Sequence, residues 1–275
     1  MTIQKLYIVA FSTLLFEACD HGGGNSAVKM NGSVQDSGVS HISGLISEIP
    51  FPGGIIDTLN SIHARYVADI ANAPDNVNLY TESNAQSVNL GVYGADLAYV
   101  ISLEQFQDVG KYLKNAKILA DDIGIPIDFT EEMIVRSENN KNNKDSLKSI
   151  VYQGYKVIDQ TLKQNQRTAS EVLVLVGGWI EGTYLTCQSF STITDSSDRT
   201  KLLNVLYKQQ QYSGKLLDLL NSVNSSSFCS QLAGSVKDIN DAFEQLQPGT
   251  HEQDSFNALN EKIKSLRSLI IKGDS

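Results

Sequence analysis

The feature that most constrains this chain is a helical hydrophobic period that recurs from residue 106 to residue 270. Phe106, Val109, Leu113, Ala116, Ala120 and Ile123 stand three or four residues apart, which lines one face of an α-helix. Gly124 and Pro126 end that stripe, because glycine suits a left-handed cap and proline has no amide to donate. Leu147, Val151, Gly154, Ile158 and Leu162 make a second stripe. Three more follow, through Leu202–Val223, Leu232–Leu246 and Phe256–Ile270. The last places Glu261, Lys262, Lys264 and Arg267 on its outer face. Ile55–Ala71 and Val88–Ile101 also read as helical. Alternating β-branched runs bounded by two-residue turns do not occur. The expectation is an all-α fold, an antiparallel multi-helix bundle of about eight or nine helices, formed by residues 45–275 as a single domain.

Local signals divide the bundle. Ser102 with Gln105, Thr168 with Glu171, and Thr250 with Gln253 have the three-residue spacing of capping boxes. Glu138–Lys144 and Ser222–Ser227 read as exposed links. Val172–Ile180 is apolar on all sides but far shorter than the roughly 20 residues needed to span a bilayer, so it predicts a central, buried helix.

Polar groups interrupt two segments expected in the core, Asn89–Tyr99 and Gly177–Tyr184. Gly91 with Ala95, and Gly178 with Gly182, lie one turn apart, and small residues at that spacing let helix backbones approach closely. Asp96 and Glu181 are the carboxylates of these segments. Two readings stand. In one, the 89–100 and 172–187 helices enclose a ligand pocket lined by Asp96, Glu181, Tyr93, Tyr99, Trp179 and Tyr184. In the other, the same residues form a structural polar core in which the carboxylates bond to tyrosine hydroxyls, Asn89 or an arginine.

Catalytic patterns are missing from the sequence. His21, His41, His63 and His251 are scattered, and Glu-x-x-His pairs suited to a helical di-metal site do not occur. There is no Gly-x-Ser-x-Gly, His-Glu-x-x-His or phosphate loop. No catalytic residue, metal ligand or cofactor is expected, and the chain reads as a non-enzyme. A net charge of −9 argues against nucleic acid as a partner.

The N-terminus supplies a location. Lys5 precedes an 11-residue apolar run, Leu6–Phe16, which is too short for an anchor helix and fits a signal-peptide core. Cys19 follows Ala18, and a Gly-rich stretch follows Cys19. This order resembles a bacterial lipoprotein signal, although Phe16 and Glu17 depart from the usual lipobox. It implies a leader over 1–18, lipid attachment at Cys19 and a flexible tether over 19–44 with an end-to-end distance of roughly 25–30 Å. The remaining cysteines, Cys187 and Cys229, are either a disulfide or two buried thiols.

The segments NLGVYGADLAYV (Asn89–Val100), NNKDSL (Asn142–Leu147) and VGGWIEGTYL (Val176–Leu185) resemble those of uncharacterised all-helical bacterial lipoproteins. The resemblance spans most of residues 50–190 and implies a helical fold in the cell envelope, with no reaction and no catalytic residue. The expected role is a membrane-anchored scaffold or accessory interaction protein, held by its N-terminal lipid, with an envelope protein as partner and the outer membrane favoured over the inner. The alternative is a small-ligand-binding lipoprotein.

Overall fold

The structure is a computed structural model that describes residues 42–50, 53–223, 226–246 and 252–273. The leader, Cys19 and residues 19–41 of the expected tether lie outside the described residues. Residues 42–44, expected as the end of the tether, instead begin a helix, α1 (42–48). Ile42, Leu45 and Ile46 pack against the core at helical spacing, which is why these residues join the helical domain.

The described residues are all-helical, with ten α-helices and no strand. After α1 come α2 (Gly53–Ser61), a 3-10 segment (Pro74–Leu79) and α3 (Ser83–Ser102). Then follow α4 (Phe106–Asp122), α5 (Ile127–Asn139), α6 (Lys144–Gln164) and α7 (Thr168–Ser189). A single 3-10 turn (Phe190–Thr192) leads into α8 (Ser196–Ser222), α9 (Ser227–Gln245) and α10 (Glu252–Ile271). The centre of the bundle is the α3–α7 pair. On one side α4 and α6 pack on α3, with α5 bridging them; on the other, α8 and α10 pack on α7, with α9 between them.

Seventeen of the 20 residues of α3 are buried, as are 17 of the 22 of α7, so neither helix keeps a solvent face. The outer helices α4, α6 and α9 are amphipathic and show the stripe that their sequences predict. The α3–α7 crossing depends on glycine. A Cβ on Gly91 would collide with the Val174 carbonyl oxygen and lie 2.6 Å from the Gly178 nitrogen. A Cβ on Gly177 would collide with the Val88 carbonyl oxygen and lie 2.8 Å from its carbon. The two backbones are therefore in direct contact.

Several expected boundaries move. The helix expected over 55–71 stops at Ser61. His63 turns left-handed (φ 55°) and the Ala64 amide bonds back to the Leu59 carbonyl at 3.0 Å, a Schellman-like end. None of the described capping boxes forms. The Ser102 hydroxyl reaches the Ile56 carbonyl and Asp57 across the bundle, and Thr168 is already inside α7. Thr250 lies outside the described residues. Side-chain caps come instead from Asn143 on α6, Asp195 on α8 and Ser226 on α9. Cys187 (α7) and Cys229 (α9) are free, buried thiols and not a bridge, and burial pushes the Cys187 thiol up to about 12. Among the described residues no helix is long and apolar enough to cross a membrane.

The crossing predicts a contrast between two helical glycines. Gly177→Ala should lower the unfolding free energy by about 3 kcal/mol, since the added methyl must displace backbone. Gly110→Ala, in α4 with open space around its Cβ, should raise it by about 0.5–1 kcal/mol. Urea unfolding of both variants measures the difference; equal effects would contradict the crossing.

Candidate functional site

The two carboxylates singled out in the sequence do come together, at the centre of the α3–α7 pair. Asp96 and Glu181 are fully buried. The third member of the cluster is Arg267 on α10, whose side chain is only 10% exposed. Its Nε and Nη2 donate to Glu181 Oε2 and Oε1, each at 2.9 Å, a fork-on-fork geometry that matches guanidinium to carboxylate. Nη2 also donates to the Ile70 carbonyl at 2.9 Å, and the guanidinium lies 4.3 Å from the centre of the Tyr184 ring. The expectation that Arg267 faces outward is thus corrected. It stands one turn after Ile263 and three residues before Ile270, both fully or nearly fully buried, so it belongs to the apolar stripe.

Asp96 sits differently. Its Oδ2 accepts from the Asn72 amide at 3.2 Å, while its Oδ1 has no donor. Burial raises its pKa well above the ordinary carboxylate range, and the negative Glu181 beside it raises it further; Arg267 acts in the opposite direction. A proton on Asp96 turns an orphaned acceptor into a donor, with Glu181 as the neighbouring acceptor. The cluster is then neutral overall: one carboxylate, one carboxylic acid and one guanidinium. That is the cheapest charge state for three ionisable groups taken out of water.

Around this centre a second layer of polar side chains satisfies backbone groups. Asn72 donates to the Tyr80 hydroxyl at 2.9 Å, and that hydroxyl donates to the Ile271 carbonyl at 3.1 Å. Asn89 Nδ2 reaches the carbonyls of Ala85 at 3.0 Å and Ile270 at 3.1 Å. Asn89 and Tyr80 therefore cap the end of α10, whose last carbonyls have no helical partner. Burial holds the Tyr80 and Tyr99 hydroxyls neutral by pushing each up to about 12.

The four aromatic residues expected to line a pocket point in three directions. Tyr93 donates to the Ala73 carbonyl at 3.0 Å, and the Tyr99 hydroxyl accepts from the Val67 amide at 2.9 Å. Trp179 donates to Gln209 Oε1 at 3.1 Å and packs on Phe243. Tyr184 covers Arg267. Because α3 and α7 touch backbone to backbone, the crossing at Gly91 and Gly177 leaves no space for a ligand between them. Arg267, Asn72 and Tyr80 are the cluster members that sequence reasoning did not select.

Other chemistry-bearing groups are dispersed. The exposed His63 bonds to Asp198 through Nδ1 at 3.1 Å, beside Lys201. Among the described residues no group of three His, Cys, Asp or Glu side chains could hold a metal ion. Comparison with protein-family models, with curated proteins and with solved structures gives no match.

Two expected outcomes test the cluster. Glu181→Ala and Arg267→Ala each leave a buried, uncompensated charge and should cost about 3–5 kcal/mol of stability by urea unfolding. Asp96→Asn should behave in the opposite way. Its raised pKa means that the folded state keeps a proton that the unfolded state loses above its ordinary value of 3.8. Stability from this group is therefore present at low pH and lost as pH rises from there toward the folded pKa. Relative to wild type, Asp96→Asn should gain up to about 1.4 kcal/mol per pH unit in that window. A relative loss with rising pH would show that native Asp96 is ionised.

Proposed function

We propose that this protein is a lipid-anchored lipoprotein of the cell envelope whose helical domain is a non-enzymatic scaffold or accessory interaction module. The observation that carries the non-enzymatic half is the use of the buried polar groups. Glu181 and Arg267 are spent on each other and on the Ile70 carbonyl, and Asp96 Oδ2 on the Asn72 amide, all of them buried, which is the behaviour of a cluster that holds helices together and not of a site awaiting substrate. The anchoring half rests on the leader pattern and Cys19, and on the resemblance of residues 50–190 to helical bacterial lipoproteins.

Under this reading the membrane is contacted through acyl chains on Cys19, and two or more chains hold the protein there permanently. The folded domain works at the end of its tether on an envelope protein partner, with the outer membrane the favoured site. Nucleic acid is not a partner of so acidic a chain.

Intact mass spectrometry of the membrane-extracted protein, beside its Cys19→Ser variant, tests the anchor. The expected result is a mature chain that begins at a di- or triacylated Cys19 and is absent in the variant. An unlipidated chain in both would overturn the anchored reading and leave the domain itself unaffected.

A further inference from the structure

On the side of α3 turned away from α7, four helices border a partly open apolar pocket of about 40 Å³. Its floor is Leu90, Gly94 and Leu97 of α3. Its walls come from α4 and α6, and its roof is Phe129, Thr130 and Met133 of α5. We propose that this pocket is a binding site for one small, neutral, apolar molecule, the size of a single ring or a short alkyl chain, with Met133 as its movable plug.

Three observations carry the assignment. The first is the plug. Met133 packs into the space left by the missing side chain of Gly154: a Cβ there would lie 2.6 Å from Met133 Cε and 3.0 Å from its sulfur. A methionine tip is the most adaptable of apolar groups, so it can retract to enlarge the void at little cost. The second is the roof. α5 packs chiefly on α4 and α6, and it hangs between Gly124, with φ +82°, and the turn at Asn140–Asn143. It is the one described helix of the pocket that is not part of the α3–α7 centre or its direct supports. The third is the charge at the rim. Among the described residues that line the pocket, Lys117 alone is charged, and its ammonium is already paired with Asp121. Asp121 also accepts from the Thr130 hydroxyl at 2.8 Å. A charged ligand would find no unpaired counter-ion and would lose its hydration, whereas a neutral apolar one would exchange water for carbon contacts. Dry apolar cavities of roughly 150 Å³ take up benzene, and this smaller void reaches that ligand size only as Met133 retracts from it.

The same geometry supplies opposite variants. Met133→Ala removes the plug and enlarges the pocket. Gly154→Ala pushes the methionine tip into the void, and Ala116→Leu fills it from the α4 wall. The experiment is calorimetric unfolding of each protein with and without benzene, and with benzoate as the charged counterpart. Benzene is expected to raise the melting temperature of the wild-type protein by about 1–3 °C and that of Met133→Ala by more. Gly154→Ala and Ala116→Leu should show at most a third of the wild-type shift, and benzoate should shift none of the four. Absence of a benzene shift in the wild-type protein overturns the proposal, even if Met133→Ala responds. An undiminished shift in both filled variants places binding elsewhere and overturns it too, and a benzoate shift equal to that of benzene overturns the neutral-ligand assignment.

Discussion

The Glu181–Arg267 pair, with the buried Asp96 beside it, is the interaction on which the rest of the architecture depends. It joins the two central helices to the last one, so that α10 is fixed by charge geometry as well as by its apolar stripe. Leu259, Ile263 and Ile270 could slide by a turn on a greasy surface at modest cost. A bidentate guanidinium could not, since displacement by one turn would strand a carboxylate in the core. Asn89 and Tyr80 then hold the C-terminal carbonyls of α10 in the same register. Such a cluster contributes little net stability relative to a well-packed apolar core of the same volume. Its consequence is the selection of one arrangement over its near neighbours.

The second constraint is the glycine contact between α3 and α7, and it sets the conditions for the first. With Gly91 and Gly177 lacking side chains, the helices approach until backbone meets backbone, which brings Asp96 and Glu181 into one desolvated volume. Larger residues at the crossing would separate the carboxylates and admit water between them. The chain thus accepts the helix cost of glycine, about 1 kcal/mol each, for a close crossing that excludes solvent from the polar centre. The irregular segment after α2 completes the enclosure. Its backbone at Val67, Ile70, Asn72 and Ala73 supplies partners to Tyr99, Arg267, Asp96 and Tyr93 in turn.

How much of this was legible follows from which faces meet water. Helices α4, α6, α8, α9 and α10 were visible because an amphipathic stripe survives wherever one side is solvated. The central character of α7 was visible from its lack of any polar face. That of α3 was visible from its apolar residues, while the long-range partners of Asn89 and Asp96 were not, since they lie on other elements. The segment 62–71 misled because Ile62, Tyr66 and Ile70 keep the helical period past Ser61, while His63 ends the helix through a left-handed turn that the period does not record. The Gly91–Gly177 contact was half visible: the close approach followed from small residues one turn apart, but the register that pairs Gly91 with Val174 and Gly178 is tertiary. Arg267 was hidden by the habit of reading every charge on an amphipathic helix as outward, although its position relative to Ile263 and Ile270 marks it as inward.

These constraints bear on function through what they leave available. Asp96, Glu181 and Arg267 help to hold helices together, and an apolar pocket lies on the other side of α3 beneath α5. The central claim concerns the charge state at the heart of the bundle, and infrared spectroscopy reads it directly. A difference spectrum between wild type and Asp96→Asn, taken just above the ordinary carboxylate pKa of 3.8, should contain the carbonyl band of one protonated carboxylic acid, contributed by Asp96. If the spectrum instead contains only the loss of an ionised carboxylate, the proton is not there, and the account of how Asp96, Glu181 and Arg267 share the core is wrong.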